Sequence, residues 1–101
     1  MEDKRSLTEI HKDLCTQIHE VFEKKNHDYG NSTVDTYNKY GLVSYLVRLE
    51  DKLNRARTLY QTGVANQKVS DEKLEDTLLD LANYALIALS QITKDGGIIK
   101  W

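Results

Sequence analysis

Hydrophobic residues recur at helical spacing in the first quarter of the chain. They are Leu7, Ile10, Leu14, Ile18, Val21 and Phe22. Residues three and four apart share one face of an α-helix, so this spacing predicts an amphipathic helix. Ser6 or Thr8 can cap its start, and the polar segment from Asn26 to Gly30 favours a stop. We therefore predict helix one over roughly Leu7 to Lys25.

A short second helix is predicted between Gly30 and Gly41. Ser32 and Asp35 have the spacing of a variant capping box, which marks a helix start. The apolar and aromatic positions that follow are Val34, Tyr37 and Tyr40. Gly41 suits a helix C-terminus because glycine adopts the left-handed conformation without a steric penalty.

Two longer helices follow. The apolar stripe of helix three consists of Leu42, Tyr45, Leu46, Leu49, Leu53, Ala56, Leu59 and Tyr60. We expect Gly63 to cap its end and Val64 to Val69 to form a polar connection. Ser70 then caps helix four, which should run to about Thr93. Because the connection is short, helices three and four should pack as an antiparallel pair.

The predicted fold is all-α, a compact bundle of three long helices and one short helix. Residues 1–101 should form a single helical domain, in which 94–101 are a flexible or docking tail after Gly96 and Gly97. A chain of 101 residues that is 40% apolar has a small core for a monomer, so we expect a homo-oligomer.

Composition and charge exclude several classes of function. The net charge of −2 lacks the basic bias of a duplex nucleic-acid-binding protein. The single cysteine, Cys15, excludes an internal disulfide and a multi-cysteine zinc site, which favours a reducing, cytoplasmic location. The longest apolar run, Leu81 to Leu89, is too short to span a bilayer, and the N-terminus has no signal-peptide core, so no membrane role is expected.

Three polar residues interrupt the apolar pattern of helix four. Asp76, Asp80 and Asn83 stand at positions i, i+4 and i+7, which places them on one helix face. A carboxylate that faces a packed interior costs several kcal/mol unless it is paired, hydrogen-bonded or metal-bound. This row therefore predicts a partner on a neighbouring element.

Helix three offers that partner. Its charged face carries Arg48, Asp51, Lys52 and Arg55 at positions i, i+3, i+4 and i+7. Two guanidinium groups and an ammonium group on one face are a candidate anion site. An equally weighted alternative is a structural ion-pair network, such as Arg48 or Arg55 with Asp80, because structural networks also place charges in this way.

A second candidate site lies in the segment from Lys25 to Ser32. Gly30 permits a left-handed backbone, Ser32 can open a helix whose N–H groups receive a phosphate, and Tyr29 can stack on a base. The alternative is an ordinary turn, which Asn, Asp and Gly form for local reasons. Among the six tyrosines, base stacking is considered for Tyr29, Tyr40 and Tyr45, and helix packing explains the others.

Three pieces of the chain together resemble the nucleotide modification associated domain 1 family. They are Lys25 to Ser32, Val47 to Arg55 and Glu75 to Tyr84, and the resemblance covers roughly Leu14 to Ile92. It implies an all-helical fold and a role in nucleotide metabolism or modification, frequently in phages and bacteria, hence a bacterial host cell if the protein is phage-encoded. The positions similar to the family are Asp28, Tyr29, Gly30, Arg48, Asp51, Lys52, Arg55, Asp76, Asp80 and Asn83.

A more distant similarity is to the all-helical nucleoside triphosphate pyrophosphatases of the MazG type. Those enzymes hold magnesium with carboxylates from adjacent helices, although their E-x-x-E and E-x-x-D pattern is not present on helices three and four here. As a hydrolase, this protein would bind magnesium through Asp76 and Asp80 with Asp51 or Glu50.

Two other functions remain open. A nucleotide-binding protein without turnover would use the ligand-binding set Asp28, Tyr29, Gly30, Arg48, Lys52, Arg55 and Asn83. Such a protein could sequester a nucleotide-derived defence signal of the host. The remaining alternative is a structural oligomer in which apolar helix four is the interface.

Overall fold

The computed structural model describes residues 2–29, 32–65 and 74–101, without the side chains of 27–29 and 64–65. These residues form four α-helices and no strand: α1 (Leu7–Tyr29), α2 (Ser32–Tyr40), α3 (Val43–Ala65) and α4 (Leu74–Lys94). The predicted all-α class, with three long helices and one short one, is confirmed. Within these ranges, no helix combines the length and the apolar character that crossing a membrane requires.

The chain divides into two compact units, residues 1–30 and 31–101. The first unit contains α1, whose N-terminus carries a capping box. The Glu9 N–H donates to Ser6 Oγ (3.1 Å), and the Ser6 hydroxyl donates in turn to Glu9 Oε1 (3.1 Å). These bonds satisfy a backbone donor that the first helical turn leaves without an intrahelical acceptor. Of the two predicted caps, Ser6 and Thr8, it is therefore Ser6 that caps α1.

Two predicted helix ends are wrong. Helix α1 continues through the predicted stop at Asn26 to Gly30 as far as Tyr29, and α3 continues through Gly63 to Ala65. Glycine inside a helix costs only about 1 kcal/mol relative to alanine, and neither segment contains the proline that would break a helix. The predicted cap Ser70 and connecting residues 66–69 lie outside the described residues.

The second unit is built around two tyrosines. Tyr37 from α2 is fully buried, and its ring centroid lies 5.4 Å from that of Tyr45 on α3. Ala88 of α4 completes this cluster, and Leu42 and Ile87 pack against it. Aromatic rings bury large apolar areas and gain further energy from tilted packing. This cluster therefore joins α2, α3 and α4.

The turn between α2 and α3 receives the last residues of the chain. The Leu42 N–H donates to the Lys100 carbonyl oxygen (2.6 Å), and the Lys100 N–H donates to the Tyr37 hydroxyl oxygen (3.2 Å). Gly41 has a φ of 80°, and a Cβ atom there would lie 2.8 Å from the carbonyl carbon of Trp101. Glycine at this position thus permits both the left-handed turn and the close approach of the backbone.

Helices α3 and α4 form an antiparallel pair, as predicted. Lys52 on α3 contacts Asp80 on α4, and Arg48, one turn earlier, contacts Tyr84, one turn later. Contacts that run in opposite sequence directions occur only between antiparallel helices. This register brings the charged face of α3 against the polar row of α4.

Raised pH should destabilise the protein through Tyr45. Burial, the largest cause, raises the pKa of Tyr45 above its ordinary value, against the opposing effects of the hydrogen bond to Thr33 and the charge of Arg48. The unfolded chain loses this proton at about pH 10, whereas the folded protein retains it to higher pH. The contribution of Tyr45 to the free energy of unfolding should therefore be fully present below about pH 10. It should be lost as pH rises through the pKa of Tyr45 in the folded protein.

Urea unfolding of the wild type and of Tyr45→Phe at increasing pH would measure this effect. The other tyrosines are common to both proteins, so the difference between the two pH profiles isolates Tyr45. If the free energy of unfolding changes with pH equally in both proteins above about pH 10, the prediction is wrong.

Candidate functional site

An ion pair joins the polar faces of α3 and α4. Lys52 Nζ lies 3.3 Å from Asp80 Oδ2, and each side chain is about one-third exposed. An ion pair that retains this much contact with water contributes at most about 1 kcal/mol. The sequence predicted a partner for Asp80 on a neighbouring element, and Lys52 of α3 is such a partner.

The ring of Tyr84 lies beside the same ion pair. Arg48 Cζ is 5.6 Å from the ring centroid, and Lys52 Nζ is 6.0 Å from it. Both distances fall within the range of cation–π attraction, in which the negative face of the ring stabilises a nearby cation. Tyr84 and Asp80 together offset the repulsion between the two positive charges. We call Arg48, Lys52, Asp80 and Tyr84 the cationic cluster.

The other predicted site residues of α3 and α4 differ in their exposure to solvent. Asp51, Arg55 and Asp76 are exposed, whereas Asn83 is buried with 7% exposure. No enclosed side-chain nitrogen or oxygen in the described part of the chain lacks a hydrogen-bond partner. The buried polar face of α4 is therefore satisfied within the fold or reaches solvent, as folded proteins require.

The predicted metal ligands do not gather in one place within this chain. Across residues 2–29, 32–65 and 74–101, no three His, Cys, Asp or Glu side chains form a group that could hold a metal ion. Asp51, Asp76 and Asp80 therefore do not form such a group with one another. Magnesium also takes phosphate oxygens and water as ligands, so its binding stays a prediction.

The N-terminal candidate segment lies mostly outside the described side chains. Asp28 and Tyr29 belong to the last turn of α1, and Gly30 lies outside the described residues. The backbone from Lys25 to Tyr29 is helical rather than a turn. The predicted ligand-binding roles of Asp28, Tyr29 and Gly30 stay predictions.

The sequence assigned Tyr84 to helix packing, but Tyr84 is the tyrosine that contacts Arg48 and Lys52. Tyr84 follows Asp80 by four residues and so shares its helix face. Tyr45, in contrast, is buried, and its hydroxyl donates to the Thr33 carbonyl oxygen (3.4 Å). Combining the antiparallel register with the i, i+4 spacing from Asp80 would have identified Tyr84.

The cationic cluster has the chemistry of an anion site. Arg48 presents a planar set of donors that fits phosphate in a bidentate manner, and Lys52 adds a compact positive charge. An anion that approaches Lys52 must compete with Asp80. The cluster can therefore exchange an internal carboxylate for an external phosphate without leaving Lys52 unpaired.

Comparison with known proteins identifies one family. The model of a family described as "Nucleotide modification associated domain 1" matches residues 25–92, which is more than half of the chain. This range includes α2, all of α3 and most of α4, and so it includes the whole cationic cluster. No curated protein and no solved structure matches this chain significantly.

Proposed function

Because the chain belongs to the nucleotide modification associated domain 1 family, we propose that it binds a nucleotide or a nucleotide-derived small molecule at the cationic cluster. The observation that supports this proposal most directly is the approach of both Arg48 and Lys52 to the ring of Tyr84. Two cations one turn apart on α3 can contact neighbouring phosphate oxygens, which a single surface charge cannot do.

Asp80 would control access to this site. Its carboxylate accepts from the Lys52 ammonium group. A bound phosphate would replace it as the partner of Lys52, and the Tyr84 ring would continue to face both cations. Removal of the negative charge at Asp80 should then strengthen phosphate binding, because an anion would no longer compete with a fixed carboxylate.

Magnesium-dependent hydrolysis is the second candidate. It is supported by the spacing of Asp76 and Asp80, which places two carboxylates on one face of α4. In that case phosphate oxygens and water would complete the coordination of magnesium, and Asp80 would be a ligand. The two functions therefore assign opposite roles to Asp80.

The test compares the wild type with Asp80→Asn. Each protein is screened by thermal shift against a panel of nucleoside mono-, di- and triphosphates, with and without magnesium, and every reaction is examined for products. Glu75→Gln is the matched control, because Glu75 is an exposed carboxylate on the same helix. Binding without turnover predicts that Asp80→Asn keeps or strengthens the shift and that the nucleotides stay intact.

Hydrolysis predicts a different result: products form with wild type and magnesium, and Asp80→Asn abolishes them while Glu75→Gln does not. A ligand at 100 times its Kd stabilises a protein by about 2.7 kcal/mol, which a thermal shift detects readily. No shift with any nucleotide at millimolar concentration would overturn both candidates.

A further inference from the structure

Helix α4 has an apolar face that α3 does not cover. Asp80, Tyr84 and Ala88 of α4 contact α3. Beside these contact residues on the helix surface, Leu78 is 48% exposed and Leu89 is 59% exposed. Ala82 and Ala85 lie between these leucines on the same face, because positions i, i+4, i+7 and i+11 fall on one helical stripe. We call these four residues the outer stripe.

The outer stripe continues onto α3. Leu46, Leu53 and Tyr60 recur every seven residues along α3, and all three are 41% to 63% exposed. A groove of about 320 Å³ between the two helices is lined by both Tyr60 and Leu78. The exposed apolar residues of the two helices therefore adjoin each other at Tyr60 and Leu78. Monomeric proteins seldom leave such a surface open to water.

The order of residues in the outer stripe is self-complementary. Leu78 and Leu89 lie at equal distances from a point between Asn83 and Tyr84, and so do Ala82 and Ala85. If a second α4 lies antiparallel across this point, each leucine meets a leucine and each alanine meets an alanine. The small alanines permit close approach at the centre, and the leucines pack at both ends.

We propose that a second copy of this chain covers this surface, with the two α4 helices antiparallel about a two-fold axis. One helix alone offers less than the roughly 800 Å² per partner of an ordinary stable interface. The exposed stripe of α3 supplies further area, so two α3–α4 pairs would stack as two layers around a shared apolar core. This arrangement does not depend on the proposed nucleotide site.

Sedimentation equilibrium of the wild type and Leu89→Glu tests the proposal. A wild-type dimer is expected, and Leu89→Glu should raise its dissociation constant about 100-fold or more, because a carboxylate would be buried against a leucine. Ser90→Glu is the matched control: it adds the same charge to the exposed neighbouring position on α4 and should leave the dimer intact. Circular dichroism should show equal helix content in all three proteins.

Two outcomes would overturn the proposal. One is a wild-type monomer across micromolar to millimolar concentrations. The other is a dimer that resists Leu89→Glu. If that dimer dissociates with Leu14→Glu, the interface belongs to the apolar stripe of α1, which contains Leu14.

Thiol cross-linking provides a second test that does not rely on destabilising the dimer. Leu78→Cys and Leu89→Cys are prepared separately, each with Cys15→Ser. The antiparallel arrangement predicts that a short bis-maleimide joins the two variants when they are mixed. Two copies of Leu78→Cys should react poorly, because their thiols would be about 16 Å apart along the helix axis. Efficient cross-linking of Leu78→Cys with itself, and not with Leu89→Cys, would overturn the antiparallel arrangement.

Discussion

Replacement of Tyr37 with alanine is expected to lower the free energy of unfolding by about 3–5 kcal/mol. The side chain is fully buried, and its ring packs on Tyr45 in the cluster that joins α2, α3 and α4. Its hydroxyl oxygen also accepts from the backbone N–H of Lys100. The alanine variant would lose the ring, open a cavity and leave this N–H without its partner. Urea denaturation followed by circular dichroism would measure the change.

Two further variants separate the causes. Tyr40→Ala removes the same side chain from an exposed position on the same helix, so we expect a change within about 0.5 kcal/mol. Tyr37→Phe keeps the ring and removes only the hydroxyl, which should cost about 1 kcal/mol. If Tyr37→Ala is no more destabilising than Tyr40→Ala, the tyrosine cluster is not the centre of the second unit.

Replacement of Arg48 with alanine is expected to weaken nucleotide binding by about 10- to 150-fold. This range corresponds to the loss of a hydrogen bond to a charged group, which contributes about 1.5–3 kcal/mol. Arg48→Lys should recover only part of the affinity, because lysine keeps the charge and loses the bidentate geometry. Lys52→Ala should weaken binding to a similar extent. Isothermal titration calorimetry with the nucleotide that gives the largest thermal shift would measure each effect.

Arg57 provides the matched control for this series. It has the same chemistry on the same helix, but its guanidinium group donates to Asn54 and its side chain lines the groove on the apolar side of the helix pair. Arg57→Ala should therefore leave affinity unchanged. Binding should also weaken as salt concentration rises, since the attraction is between charges near the surface. If Arg57→Ala and Arg48→Ala lower nucleotide affinity equally, binding depends only on the overall charge of the protein and not on the cationic cluster.

The helical pattern and the pairing of α3 with α4 could be predicted from the sequence. Each depends on local features, namely the 3.6-residue spacing of apolar positions and the short connection between two long helices. The ends of α1 and α3 were predicted less well. Asn26 and Gly63 are weak helix formers, but a weak local preference is overridden when the helix continues on both sides.

Within the candidate site, the polar face of α4 was also predicted only in part from the sequence. The spacing of Asp76, Asp80 and Asn83 indicated a shared face and the need for a partner. It did not show that Asp80 pairs with Lys52 or that Asp76 stays exposed. Those outcomes depend on the axial register of α4 against α3, and a shift of one residue would rotate each side chain by about 100°.

The sequence by itself determined the all-α class, the three long helices and one short helix, and the charged faces of α3 and α4, because each follows from contacts within a few residues of the chain. Only the tertiary structure decided that Arg48 and Lys52 meet at Tyr84, and that Leu78 and Leu89 lie on an uncovered face. The physical reason is that the packing of one helix on another fixes the register between residues far apart in sequence. Helical periodicity alone carries no information about that register.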